Sequence, residues 1–157
     1  MNKFIFEKVY IEHRDMIFNY IASIIHDKHA AEDLTQEVFI RVFKSLGKFK
    51  GNSTLKVWIF SIAKNVCFTW IEKNRKKSEL KKKVEQEEKS HEIIDYSNNI
   101  VINQTLEYLS STQKTLIVLR DYYGFTYREI SQVLEITEGQ VKIGLHRARK
   151  AFRKYYG

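Results

Sequence analysis

The chain has 157 residues, a formal net charge of +8, one cysteine and no proline. It is long enough to bury a core without metal or disulfide support, as one domain or two small ones, and one cysteine excludes an intrachain disulfide. No stretch approaches the roughly 18 uncharged apolar residues of a membrane span, so we expect a cytoplasmic protein whose basic charge suits a polyanion or a membrane surface.

Three helices are predicted in the first half of the chain, where apolar residues recur at helical spacing. They are Phe4 to Ile25, about Lys28 to Leu46, and Leu55 to about Lys77. Asp27 and Thr54 can cap the second and third helices, Gly47 can end the second, and the first could break near His13. These helices can close one core, in which we expect Cys67 to be a buried small side chain rather than a nucleophile.

A charged segment follows the third helix. Basic residues crowd residues 73–83, acidic residues follow between 85 and 95, and residues 97–99 are polar and turn-prone. Because little of this segment can be buried, Ser78 to Asn99 is predicted to be a linker. A solvated single helix that joins the two halves is the alternative.

Helical periodicity resumes at Ile100, and three further helix-start signals follow. Ser110 to Gln113 begins a helix that Gly124 ends. Thr126 to Glu129 and Thr137 to Gln140 each fit the capping box, in which two side chains satisfy N–H groups at the helix start. The last two helices therefore begin about ten residues apart. They have the layout of a helix-turn-helix and complete a second, four-helix unit.

The last helix combines a buried stripe with a cationic outer face. Val141, Leu145, Ala148 and Phe152 fall at helical spacing and are expected to be buried. The outer residues are Lys142, Ile143, His146, Arg147, Arg149 and Lys150. Because arginine and lysine on the second helix of such a pair can bond guanine edges or phosphates in the major groove, this face favours DNA binding. A solvated basic helix is the alternative.

A polar stripe runs along the second helix. Its members, at helical spacing away from the apolar face, are Asp33, Gln36, Glu37, Arg41 and Lys44. The stripe could grip basic side chains of a partner, although from the residues alone an ordinary solvated face is the simpler explanation. Neither a cysteine nor a glycine-rich phosphate loop is near these carboxylates in sequence, and no histidine has cysteines at zinc spacing. We therefore expect no catalytic site, metal or cofactor.

The outer face of the third helix mixes cations, an amide and an aromatic ring. It carries Lys56, Lys64, Asn65, Phe68 and Thr69, and it follows the small polar loop Gly51-Asn52-Ser53-Thr54. Such a surface can hold single-stranded nucleic acid through phosphate contacts and a pocket or stack for an unpaired base. A plain solvated face is the alternative.

Across nearly its whole length the chain resembles a known family, the extracytoplasmic-function group of bacterial sigma-70-type RNA polymerase sigma factors. Residues Ala31 to Phe39 are similar to the opening of its conserved region 2. Phe49 to Ser53 and Trp58 to Asn65 are similar to its promoter-melting part. Gly124 to Ile130 and Gly139 to Arg149 are similar to its region 4.

The resemblance implies an all-α fold of two small helical domains, with region 2 in residues 1–77, a linker in 78–99 and region 4 in 100–157. It implies a sigma factor, without chemistry of its own or a small-molecule substrate, that directs bacterial core RNA polymerase to promoter DNA and opens the duplex. An anti-sigma factor would hold it inactive and could keep it at the membrane.

The resemblance also implies the sites. Asp33, Gln36 and Glu37 match positions that dock on the polymerase clamp. The loop before the third helix and Asn65 match the part that binds the promoter −10 element. Together with the outer face of the third helix, they give the −10 candidates Asn52, Ser53, Lys56, Lys64, Asn65, Phe68 and Thr69. The candidates for the −35 element are Gln140, Lys142, Ile143, His146, Arg147, Arg149 and Lys150.

Several residues depart from the family pattern. Thr69 and Glu72 stand where the family usually has aspartate and arginine, and Ile143 and Gly144 stand where it often has serine and arginine. A rival function, a stand-alone helix-turn-helix repressor or activator, would need a self-complementary surface for paired half-sites, and no surplus amphipathic helix offers one. A nuclease would need a clustered acid set with a phosphate loop, which the sequence lacks.

Overall fold

The computed structural model describes residues 3–81 and 100–156, and the described part of the chain is helical without strands. The first unit contains α1 (Lys3–Ile25), α2 (Lys28–Ser45) and α3 (Leu55–Lys81). The second contains α4 (Ile100–Leu106), α5 (Ser111–Ile117), α6 (Tyr127–Leu134) and α7 (Glu138–Tyr156). The predicted all-α class is confirmed. Most of the predicted linker, residues 82–99, lies outside the described residues.

The first unit is built by α1, α2 and α3, which pack against one another. Asp27 caps α2 by accepting a hydrogen bond from the Ala30 N–H at 3.1 Å, and Thr54 accepts one from the Val57 N–H at 3.2 Å at the start of α3. The predicted break near His13 is wrong, because α1 is continuous and the His13 ring bonds the Val9 carbonyl 2.8 Å away within it. Helix α3 also runs on to Lys81, beyond the predicted end at Lys77.

The second unit begins its helices with the predicted caps. Ser110 and Gln113 form a reciprocal capping box at α5. After α5 the chain makes a π-helical turn, Val118–Tyr122, which the sequence analysis did not foresee. Gly124 then ends this segment with a φ of +73°, a left-handed conformation that glycine adopts without steric cost.

The two units share one hydrophobic core instead of the two separate cores that the sequence analysis expected. Helix α6 packs on α3, and α5 packs on α1. Phe60 of α3 lies at the centre of the junction, with ring centroids 5.1 Å from Phe125, 5.5 Å from Tyr20 and 5.7 Å from Tyr123. The contact is therefore made of large buried side chains from both halves of the chain.

Candidate nucleic-acid interface

The helix-turn-helix is formed by α6, α7 and the turn between them. Thr126 and Glu129 complete the first capping box, and Thr137 and Gln140 complete the second through bonds of 2.9 and 3.0 Å. Between the helices Glu135 adopts a left-handed conformation with a φ of 57°, which closes the turn. Local start and stop signals thus fix where the last helix begins.

The two faces of α7 are as predicted at most positions. Val141, Leu145 and Ala148 are buried, whereas Phe152, predicted to be buried, is only partly so. The exposed residues of the outer face are Lys142, Ile143, His146, Arg147 and Lys150. The structure therefore gathers three cations and a histidine on one accessible helix surface, with the 54% exposed Ile143 among them.

Arg149 differs from the other cations of α7. Its guanidinium donates to both carboxylate oxygens of Asp121, at 2.6 and 3.1 Å, and this hydrogen-bonded pair raises the pKa of Arg149. Asp121 lies in the π-helical turn after α5, so the pair joins α7 to that turn. The sequence analysis missed Asp121 because nothing local marks a partner 28 positions away.

Gly144 explains one departure from the family pattern. A Cβ atom at this position would lie 2.9 Å from Cδ1 of Leu116 in α5, closer than real contacts allow. Because α7 approaches α5 at this residue, any larger side chain requires the buried Leu116 to move. Gly144 thus serves close packing between the two helices.

The polar loop and part of α3 present the second candidate DNA surface. Asn52, Asn65 and Thr69 are exposed, and Ser53 is half-buried. Gly51 turns the chain into this loop with a φ of +77°. These residues are placed where solvent, or a strand of DNA, can reach them.

The other residues of the outer face of α3 are less accessible than predicted. Lys64, expected on the outside, is only 8% exposed, and its ammonium lies 5.7 Å from the Phe68 ring centroid. Lys56 is half-buried with its ammonium 4.8 Å from the ring of Phe125 in the second unit. The prediction that Lys64 is solvent-exposed is therefore wrong. Lys56, Phe60 and Lys64 share a face at i, i+4 and i+8, and the second unit packs there.

The polar stripe of α2 is exposed, as both a partner surface and an ordinary solvated face would be. Asp33, Gln36 and Glu37 are all exposed, and Glu37 forms an ion pair with Arg41 at 2.8 Å. Ile40 lies on the same side and is 53% exposed, which the sequence analysis did not single out. A singly exposed apolar side chain is common on protein surfaces, so Ile40 is compatible with a partner surface and with a solvated face.

Two clefts lie where the units meet. One, of about 460 Å³, has the loop residues Asn52 and Ser53 on one wall and Thr137 and Gln140, at the start of α7, on another. The other, of about 370 Å³, is mostly apolar and lies between α1, α4, α7 and the π-helical turn. The two candidate DNA surfaces therefore border the same cleft.

Several ionisable groups are buried at the junction. The Lys114 ammonium donates to the Ile24 carbonyl at 2.8 Å, and burial lowers the pKa of Lys114 to about 8. Burial raises the pKa of the Cys67 thiol, which is fully buried as predicted, and that of Tyr20. Lys114 and Cys67 lie close enough to affect each other's pKa. The sequence analysis missed Lys114 and Tyr20 as junction residues.

Neither a metal centre nor a membrane span is found in residues 3–81 and 100–156. No group of three histidine, cysteine, aspartate or glutamate side chains in these residues could hold a metal ion. None of the helices described is both long and apolar enough to cross a membrane. Glu72, one of the departures noted above, forms an ion pair with Arg75 at 2.8 Å, and the hydrogen bond from Arg75 lowers the pKa of Glu72.

Comparison with known proteins places both units in one family. A family model of Sigma-70 region 2 matches residues 9–77, and one of Sigma-70, region 4 matches residues 100–152. The ECF RNA polymerase sigma factor SigX of Bacillus subtilis is 28% identical, over 96% of this chain and 82% of its own length. The RNA polymerase sigma-H factor of Pseudomonas aeruginosa is 26% identical, over 95% of this chain and 84% of its own length.

Solved structures show a similar fold. The sigma factor RpoE, in complex with the anti-sigma factor NepR from Bartonella quintana, aligns with a TM-score of 0.81 at 22% identity, over 96% of this chain and 95% of that one. CnrH, in complex with the cytosolic domain of CnrY, aligns with a TM-score of 0.72 at 19% identity, over 98% of this chain and 88% of that one.

Proposed function

We propose how the parts of this chain share the steps of promoter recognition and opening. The chain belongs to the extracytoplasmic-function group of the sigma-70 family and is thus an RNA polymerase sigma factor for promoter-specific transcription initiation. Residues 1–77 bind core polymerase and recognise and melt the −10 element. Residues 100–157 read the −35 element. Residues 78–99 link the two.

The exposed cationic face of α7 carries this proposal. Lys142, His146, Arg147 and Lys150 project from a helix whose start is fixed by a capping box, as a reading helix in the major groove requires. Gln140 and Ile143 complete the proposed base-facing set. Arg149, held by Asp121, contributes mainly by orienting the helix.

The loop and α3 are proposed to act on the opened strand. Asn52, Ser53, Asn65 and Thr69 are accessible and can hold an unpaired base by hydrogen bonds. Lys56, Lys64 and Phe68 supply phosphate contacts and a stacking ring when they are uncovered.

Asp33, Gln36 and Glu37 are proposed to dock on basic side chains of the polymerase clamp. The exposed Ile40 adds an apolar contact at the centre of that surface. Attraction between opposite charges would speed and orient docking.

We further propose that the protein catalyses nothing itself and works in the cytoplasm with core polymerase. An anti-sigma partner is proposed from a solved neighbour, since RpoE was solved in complex with the anti-sigma factor NepR. A membrane-bound anti-sigma factor would hold the protein at the membrane.

The test is capture of core polymerase by the full chain, followed by run-off transcription on a genomic library. We expect stable capture and transcripts that begin at a small set of sites with shared −10 and −35 sequences. No capture, together with tight specific duplex binding by the protein alone, would support the repressor function instead.

A further inference from the structure

The apolar cleft of about 370 Å³ has the size of a small-molecule site. Its walls are Asn19 and Ser23 of α1, helix α4, the π-helical turn and the end of α7. Small-molecule sites usually measure about 300 to 1,000 Å³. One turn of helix, about 5.4 Å long and 10 to 12 Å across with its side chains, fills roughly 500 Å³, so the cleft suits a small molecule better than a helix. Of the residues given promoter or polymerase roles above, only Arg149 lines it.

The inner end of the cleft is buried and mainly apolar. Leu106 and Val118 line it and are 4% and 6% exposed. Two buried polar residues also line it: Ser23, whose hydroxyl donates to the Tyr20 carbonyl at 2.6 Å, and Asn103. Partly buried apolar residues complete the walls, namely Ile102, Ile117, Tyr123 and Phe152. The inner end therefore favours an apolar chain over a polar or branched charged group.

The mouth of the cleft is charged. Asp121, Tyr122 and Arg153 line it and are exposed. The two hydrogen bonds from Arg149 neutralise the Asp121 carboxylate. Arg153 follows Arg149 by one helical turn and adds a second cation, so the charged lining residues carry a net charge of +1. The mouth is therefore complementary to a single negative charge.

From the apolar walls, the volume and the charged mouth we propose that the cleft binds a small amphipathic anion, a carboxylate with an unbranched apolar chain whose head group meets Arg153. A methylene group fills about as much space as a water molecule, roughly 30 Å³, so the cleft holds a chain of about twelve carbon atoms. The chain would itself be a receptor for such a molecule. This assignment does not rest on the promoter roles of either unit.

Calorimetric titration of the full chain with octanoate, decanoate, dodecanoate and tetradecanoate tests the chain-length limit. All are used below the concentrations at which they form micelles. We expect one molecule bound per protein and an affinity that rises about fifteenfold for each two methylene groups. The rise should stop at dodecanoate, where the cleft is full. Dodecyltrimethylammonium, which has the same chain and a positive head, should bind at least tenfold more weakly.

The head-group contact is tested by Arg153→Glu. Reversing this exposed charge should weaken dodecanoate binding about three- to tenfold, which is the effect of losing one ion pair near the surface and gaining a repulsion. Lys154→Glu is the matched control, because it changes the net charge equally at an exposed residue that does not line the cleft. It should weaken binding by less than about twofold.

The position of the apolar chain is tested by filling the cleft from two different walls. Ile102→Trp in α4 and Asn19→Phe in α1 should each shorten the longest chain that still gains affinity, so that dodecanoate binds no tighter than decanoate. Ile11→Trp adds the same ring at a 69% exposed site of α1 outside the cleft and should change nothing. Thermal unfolding confirms that each variant is folded, and either filling variant is sufficient for the test.

Three outcomes would overturn the proposal. Dodecanoate that does not saturate, or that binds in many copies per chain, would show that the cleft takes no such ligand. Equal weakening by Arg153→Glu and Lys154→Glu would show that only the net charge attracts the anion. An unchanged chain-length limit in a folded filling variant would place the ligand elsewhere. The titration uses the protein alone, so its result is separate from that of polymerase capture and run-off transcription, which test the proposed function.

Discussion

Arg149 donates two hydrogen bonds to the carboxylate of Asp121 and thereby joins α7 to the turn after α5. Arg147, two positions earlier, points outward and is exposed. Arg149 therefore contacts another part of the protein, whereas Arg147 is accessible to solvent or DNA.

We therefore expect Arg147→Ala to change −35 recognition and Arg149→Ala to change stability. Arg147→Ala should relax the preference at one or two −35 positions, since a guanidinium can bond a base edge bidentately. Arg149→Ala should leave the preference intact and lower stability by up to about 1 kcal/mol, the usual range for a partly exposed ion pair. Holoenzyme binding to a randomised −35 library and thermal unfolding measure the two effects. Asp121→Asn should reproduce the stability loss of Arg149→Ala; altered base preference in that variant would contradict this assignment.

Lys142 should act on the DNA backbone. Because its ammonium is a point charge, Lys142→Ala should weaken binding of all −35 sequences alike and reduce the salt slope by about 0.9. Holoenzyme titrations at several salt concentrations give this slope. Lys154→Ala, at the far end of the same helix, should leave it unchanged, and a loss limited to particular sequences would identify Lys142 as a base-reading residue.

Glu37→Lys should weaken capture of core polymerase at least tenfold while the thermal midpoint changes little. The substitution reverses a charge in the exposed stripe, also breaks the ion pair with Arg41, and disturbs no core packing. Titration of labelled protein with core enzyme measures the affinity. Glu12→Lys makes the same charge change on α1 and should have little effect; equal losses in both variants would point to net charge alone.

Asn65→Ala should depress transcription from a duplex promoter more than from a template already mismatched over the −10 element. The exposed amide is proposed to hold an unpaired base, which is needed most while the strands separate. Run-off yields from the two templates give the ratio. Asn74→Ala, on the opposite side of α3, is the matched control, and an equal loss on both templates would argue against a melting role for Asn65.

The stability of the protein should rise between pH 7 and 8.5 because of Lys114. Its pKa falls from 10.5 to about 8 on folding, so the unfolded chain binds this proton more strongly and stability increases as pH passes 8. The gain should be about 0.5 to 1 kcal/mol by pH 8.5, and the neighbouring Glu107 limits it by favouring the ammonium.

Above about pH 9 the neighbouring Cys67 and then Tyr20 oppose this gain, because burial raises the pKa of each and the unfolded chain loses those protons first. Urea unfolding of wild type and Lys114→Met across the range isolates the contribution of Lys114. The rise should be absent in Lys114→Met, and identical pH profiles would show that Lys114 stays fully charged when buried.

The local features of this fold were predictable, and the long-range ones were not. Capping boxes at Ser110, Thr126 and Thr137 lie within four residues of sequence and gave the helix starts correctly. Tyr20 and Thr115 are 95 positions apart, and no periodicity reveals such a pair. The burial of Lys64 could not be predicted either, since its face is polar in sequence whereas the structure leaves it only 8% exposed, with its ammonium near the Phe68 ring.

The close approach at Gly144 limits how far binding specificity can be transplanted. A larger side chain at residue 144 would meet Cδ1 of Leu116, so the buried Leu116 side chain must move before it fits. A helix copied from a relative with arginine at this position therefore needs a matching change at residue 116. Under the proposed −35 role of α7, a change of promoter preference then involves α5 as well as α7.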